Sequence, residues 1–255
     1  MPARFSLMGL LALWLGTATA VSAGPVFPAP FKAEYSLHSK GFEVAHITRV
    51  FRPLADGTYI YESRSHTVGL LSLFRDDRIV ERSHWQPTNS GFQPLTYSYQ
   101  HTGSKENRDV KIDFDWSNNK VNMRVNDDRW QMTLEPGTLD KMVYQLAIMR
   151  DLKRGLESFH YQIADGGKMK SYNFETFKQE ATETPYGNFD NALKVERFRD
   201  DRERRTIFWC VPQLDYLPVK VVNIEPDGLK TTALLKQYAA LPDSIQSTIT
   251  VQDSE

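Results

Sequence analysis

Six histidines, one cysteine and three adjacent acidic pairs are the residues of this 255-residue chain that could carry acid–base, metal or nucleophilic chemistry. Their spacing assigns them none of it. His38, His46, His66, His84, His101 and His160 never fall as H-x-H or H-E-x-x-H, and none neighbours Cys210 in sequence. A metal site needs ligands at short helical or hairpin spacing, or a long-range convergence that sequence does not display. Four of these histidines alternate along strand-like runs and read as polar-face residues. Asp76-Asp77, Asp127-Asp128 and Asp200-Asp201 sit in turn-like contexts without the alternating acidic ladder of a calcium loop, so they read as solvated turn carboxylates. Gly69-Leu70-Leu71-Ser72-Leu73 lacks the second glycine of a nucleophile elbow, and Gly166-Gly167-Lys168 lacks the rest of a phosphate loop. Cys210 lies in the apolar run Thr206-Ile207-Phe208-Trp209-Cys210-Val211 and reads as a buried small side chain. The expectation is a protein without catalysis, metal or cofactor.

The elements that must position these residues are strands. Phe31, Ala33, Tyr35 and Leu37 alternate with polar residues, which turns one face inward and one toward water. The same period returns at Leu95, Tyr97 and Tyr99, at Val110, Ile112, Phe114 and Trp116, at Val121, Met123 and Val125, and at Leu217, Val219 and Val221. Asp56-Gly57, Ser117-Asn118-Asn119, Asp165-Gly166-Gly167 and Asp227-Gly228 separate such runs and favour the positive φ of tight hairpins. Gly187-Asn188 and the charged stretch 199–205 read as loops. One segment changes period: Leu139, Met142, Val143, Leu146 and Met149 place an apolar stripe on a helix over 138–154, with Thr138 as N-cap and Gly155 as C-cap. The fold expected is mainly β: a curved antiparallel sheet or incomplete β-barrel with one central α-helix packed against its concave face.

The ends of the chain bear on compartment. Arg4 followed by an apolar block over 5–15, then Val21-Ser22-Ala23, reads as a signal peptide over 1–23 cleaved near Ala23, with a second frame at Ala18-Thr19-Ala20. That block is too short to span a bilayer, and no later run is long enough, so the mature chain is expected to have no transmembrane segment. A single domain over 24–241 and a polar tail over 242–255 follow; residues 245–251 read either as part of that tail or as a last edge strand. Thirty-one basic against thirty-two acidic residues leave no electrostatic case for nucleic acid. A lone cysteine in the oxidising periplasm makes no internal disulfide.

The order of short motifs is more specific than any one of them. Phe31-x-Ala33-x-Tyr35, Asp56-Gly57-x-Tyr59-x-Tyr61, Glu81-Arg82-Ser83, Gln93-Pro94-Leu95-x-Tyr97-x-Tyr99, Leu139-Asp140-x-x-x-Tyr144-Gln145-Leu146 and Leu217-Pro218-Val219-Lys220 follow one another in that order. This series resembles the DUF3108 family of exported bacterial proteins from about Phe31 to Tyr238. The resemblance implies an envelope protein and a curved sheet, and no mechanism. Members commonly carry Gln-Asp before the helix tyrosine and a Ser after it; here Leu139-Asp140-Lys141-Met142 stands instead, so no role built on that Gln or Ser carries over.

A curved sheet closed by a helix makes a concave apolar pocket, and pockets with few polar groups bind rather than react. The function expected is therefore non-catalytic binding of an apolar or amphipathic, lipid-like envelope ligand in the periplasm. The expected contacts are Leu70, Leu71, Leu73 and Phe74 at the rim and Met142 and Leu146 on the helix. The run 69–74 reads either as a buried strand or as that rim. A structural or scaffolding partner in cell-envelope assembly is the alternative, through exposed sheet edges or the same run. An envelope-polymer hydrolase is the minor one, and it requires carboxylates or histidines to converge in one cleft.

Overall fold

A computed structural model describes residues 27–69, 72, 76–103, 107–198 and 204–242. The proposed signal peptide, the tail over 243–255 and Leu70, Leu71, Leu73 and Phe74 lie outside the described residues. Eight strands come first: β1 (Phe31–Ser39), β2 (Phe42–Pro53), β3 (Tyr59–Thr67), β4 (Arg78–Thr88), β5 (Gly91–Thr102), β6 (Arg108–Asp115), β7 (Lys120–Val125) and β8 (Asp128–Thr133). The two-residue β9 (Leu139–Asp140) and helix α1 (Val143–Lys153) follow. Then come β10 (Ser158–Ala164), β11 (Met169–Thr184), β12 (Gly187–Phe198), β13 (Arg205–Val211), β14 (Leu217–Ile224) and β15 (Lys230–Ala240). All pair into one sheet in the order β8 through β1, then β15 back through β9. Two meanders are thus joined through their outer members, β1 and β15, in antiparallel register from Phe31↔Ala240 to Ser39↔Thr231. Among the described residues, only β9 and β10 run parallel.

Alternation builds this sheet as the sequence leads one to expect. Phe31, Ala33 and Tyr35 are buried on β1, Val110, Ile112 and Phe114 on β6, and Leu217, Val219 and Val221 on β14. The Asp-Gly turns hold, with Gly57 and Gly228 at φ +81° and +82°, values that cost a residue with a Cβ far more. Gly187-Asn188 is a correction. Both residues already belong to β12, opposite Thr184 and Glu183, so the turn is the two residues before them. Gly69 and Ser72 are exposed, and the Ser72 hydroxyl donates to the Gly69 carbonyl at 2.7 Å.

The helix starts later than the periodicity suggests. Leu139 and Asp140 are drawn into the sheet against Ile163 and Ala164, so Thr138 precedes a strand and does not cap the helix. Asp140 serves instead: its Oδ1 accepts from the backbone N–H of Met142 at 2.8 Å and of Val143 at 2.9 Å. At the other end Gly155, at φ +77°, donates to the Leu152 carbonyl while Leu156 donates to that of Asp151, the paired bonds of a left-handed helix stop.

Eight of the eleven helical residues are buried, far more than one stripe. Met142 is 1% exposed and Leu146 not at all, and both belong to the core that joins the helix to the sheet. Enclosed by core neighbours, these two expected ligand contacts present no surface to the open part of the interior. Even the polar Asp151 is enclosed, accepting from Arg150 Nε at 2.7 Å and from the Tyr161 hydroxyl at 2.7 Å. Leu146→Ala is therefore expected to cost about 2–5 kcal/mol of unfolding free energy by urea denaturation, the cost of a core cavity. A ligand-facing residue would show less than about 0.5 kcal/mol.

Candidate functional site: a cup above the helix

Residues directly opposite in an antiparallel ladder point to the same face, so the register sorts the interior into rows. The row Phe51, Tyr61, Ser83, Tyr97, Ile112 and Met123 crosses six strands and is sealed, with no member more than 2% exposed. Two residues along each strand lies Arg49, Ser63, Glu81, Tyr99 and Val110, of which all but Val110 are partly exposed. Two residues further lies Ile47, Ser65, Ile79, His101 and Arg108, open enough that Arg108 is exposed. The interior is thus filled at one end and open at the other. It is a cup, with the N-terminal turn of α1 at its floor.

That floor is ionic. Arg49 reaches from β2 to the helix, donating from Nη1 to Gln145 Oε1 at 2.6 Å with its guanidinium 5.3 Å from the Tyr35 ring centroid. Its Nε is buried without a hydrogen-bond partner. On the opposite wall Arg197 lies 4.4 Å from the Tyr172 ring centroid and donates to Thr206 Oγ1 at 2.7 Å, and its Nε is likewise without a partner. Tyr144 of the helix meets Tyr172 edge-on at 5.5 Å and so links the two walls.

Beside this floor three carboxyls approach one another. The Tyr97 hydroxyl donates to Glu81, and the Ser83 hydroxyl donates to Asp140 Oδ2. Asp165, in the β10–β11 turn, accepts from Lys170 and lies 3.7 Å from Lys141 Nζ. Burial pushes the Glu81 carboxyl up, against the pull of Lys141 and Tyr97. Burial also opposes ionisation of Asp165, but Lys141 and Lys170 outweigh it and hold that carboxyl below its ordinary range. A cleft of about 340 Å³ opens here, with Tyr97, Tyr99 and Val110 on one wall, Lys141, Asp165 and Lys170 on the other, and Arg108 and Arg204 at its mouth.

Spacing in the sequence singles out none of these residues for chemistry. The acidic pairs draw attention, whereas the carboxyls that meet are single residues on three separate elements. A signal is present in β4, where alternation puts Ile79, Glu81, Ser83 and Trp85 on one face. Two polar residues at inward positions of a strand mark a site or a buried network. His101 is likewise an interior residue, 3.4 Å from Asp77, and not the polar outer-face residue that alternation suggests. Among the described residues no group of three or more His, Cys, Asp or Glu is placed to hold a metal ion.

Asp140 ties the site to the fold and sets a pH dependence. Its burial raises the carboxyl from 3.8 to about 6, although Ser83, Val143 and Met142 all donate to it. Between those two values the folded chain holds a proton that the unfolded chain releases, so this contribution is present at low pH and lost as pH rises through about 6. A rise of that size corresponds to roughly 3 kcal/mol. Asp140→Asn keeps the acceptor and removes the charge. Relative to it, wild-type stability is expected to fall by about that amount between pH 4 and pH 7 in parallel urea titrations. Identical pH profiles would show that the carboxyl titrates normally.

A protein-family model described as "Protein of unknown function (DUF3108)" matches residues 34–234, a span that contains every residue of the cup named above. Among solved structures, a beta-barrel-like protein of domain of unknown function DUF1849 from Brucella abortus aligns with TM-score 0.58. The alignment covers 85% of this chain and 100% of that one at 10% identity, a likeness of fold alone. A structure described as "a putative lipoprotein" from Parabacteroides distasonis covers 84% and 97% at 12% identity with TM-score 0.29, too low to bear on either fold or function. No curated protein matches the chain.

Proposed function

The chain belongs to the DUF3108 family of proteins of unknown function, and from that premise we propose that it is a non-catalytic periplasmic protein that holds an amphipathic envelope ligand in the cup. The observation that carries this reading is the change of exposure along the interior: a sealed row, then two partly exposed rows, the second of which mixes Ile47 and Ile79 with Ser65 and His101. A ligand entering from the open end meets apolar and polar wall together and reaches charge at the floor. The two buried guanidinium Nε atoms at Arg49 and Arg197 are donors that a polar head could satisfy. Sequence alone supplies the periplasmic compartment and the apolar rim at Leu70, Leu71, Leu73 and Phe74. Among the described residues no helix is long and apolar enough to cross a membrane.

The carboxyls favour binding over turnover. Asp140 is engaged by three donors and Glu81 by Tyr97, so neither is free to exchange a proton with a substrate without breaking a structural bond. A second reading, scaffolding by strand addition, has one observation behind it. β8 ends the sheet with β7 as its sole ladder partner among the described residues and carries Trp130 at 37% exposure.

Ser65→Trp tests the cup directly, because a small half-open wall residue becomes a bulky plug. Protein extracted under native conditions is expected to carry a co-purifying amphiphile by mass spectrometry, and the variant to lose it while unfolding within about 1 kcal/mol of wild type. An empty wild type that captures one stoichiometric protein in cross-linked periplasm would favour scaffolding.

A further inference from the structure

We infer that the cleft at the side of the cup is a binding site for a phosphate group, carried by a lipid or free in solution. The inference rests on the ligand-holding reading above and names the class of head group. Four cations from four separate elements face this space: Arg108 at the start of β6, Lys141 just before the helix, Lys170 on β11, and Arg204 leading into β13. Their carboxylate partners among the described residues are two. Asp165 takes up Lys170 and, at 3.7 Å, Lys141, while Glu225 sits 2.5 Å from Arg204. The four cations line the concavity with Asp165 as the one carboxylate among its lining residues, while the Glu81 carboxyl behind them, pushed up by burial, is drawn down by Lys141, so positive groups outnumber negative ones around it.

A phosphomonoester, with about −1.5 to −2 charges at neutral pH, answers such a cation-rich set more fully than a single carboxylate does. The ligand set also suits phosphate, since arginine offers a planar fork to two oxygens and lysine a point charge to a third. Lys141 lies 5.9 Å from the Tyr99 ring centroid and is held over the cleft by that ring and by Asp165, so part of the ordering cost of its long side chain is met before any ligand arrives. At about 340 Å³ the cleft has room for roughly ten waters, more than a bare phosphate occupies. The remainder opens onto the row of Tyr99 and Val110, which leads into the cup. A phosphate seated here points its substituent toward the mixed apolar wall.

The test uses the full mature chain and two probes. Inorganic phosphate is titrated by ³¹P line broadening. Capture is measured on phosphatidylcholine vesicles doped with either phosphatidic acid or diacylglycerol, which differ by the phosphate alone. The paired substitution Arg108→Gln with Lys141→Met is expected to weaken phosphate binding, or the preference for phosphatidic acid, by about tenfold or more. Lys111→Ala, a lysine outside the cleft, is expected to change neither. Arg108→Gln alone alters an exposed residue, so a smaller loss in that variant separates damage to the site from damage to the fold. Binding of phosphatidic acid without inorganic phosphate assigns the group to a lipid, and the converse to a soluble ligand; both support the site. Equal capture of the two vesicle types, unchanged by the paired substitution and with no binding of inorganic phosphate, overturns the phosphate site and leaves the amphipathic reading standing. No capture of either vesicle and no binding of inorganic phosphate, with no co-purifying amphiphile, overturns both.

Discussion

A helix with eight of its eleven residues buried can be satisfied only by being surrounded. An open face of sheet shields one side of a cylinder and leaves the other to water. Here two meanders are joined edge to edge through β1 and β15, and the resulting sheet bends far enough for β9 to approach β5 across the interior. The curvature, the sealed lower row and the cup above it all follow from that demand. The helix fills one end of the hollow and cannot fill both. Its eleven residues span about 16 Å, less than strands such as β2 and β11 traverse.

The join between filled and open halves is where polar groups collect, and Asp140 shows why. The helix N-terminus must bring unsatisfied N–H groups into the interior, and a carboxylate is the strongest acceptor for them. Placing it there costs solvation, visible in the raised carboxyl, and the cost is offset by bonds from Ser83 and two backbone amides. Once one charge is held at that depth, neighbouring groups are arranged around it. Glu81 bonds Tyr97, Lys141 leans toward Asp165, and Arg49 spans from sheet to helix. The ionic floor is thus as much a consequence of burying a helix start as a device for holding a ligand.

Much of the architecture is legible in the sequence because strand alternation and Asp-Gly turns are local signals. The antiparallel sheet, the helix α1 and its glycine stop can all be read from windows of a few residues. The helix start is misread locally because Leu139 and Asp140 are claimed by a partner strand more than twenty residues later, which no such window contains. The candidate site is hidden for the same reason. Arg49, Glu81, Asp140, Asp165 and Arg197 meet only through the registers of many strands, and each is unremarkable in its own neighbourhood. Met142 and Leu146 read as ligand contacts because they fall on the apolar stripe of the expected helix. A stripe says which face is apolar, not whether core or cargo lies against it.

The pairing of β1 with β15 bears on how such a chain acquires its shape. The two strands at the middle of the sheet are the first and last among the described residues, with contacts such as Phe31 to Ala240 more than two hundred residues apart. Each meander can assemble alone from neighbouring hairpins, but the seam between them waits for the final strand. Loop closure over so long a segment is slow, and until it happens two inner edges stand open to any passing strand. The seam between β1 and β15 is therefore the pairing of highest contact order in the sheet, and a circular permutant joined there would turn it into a local hairpin.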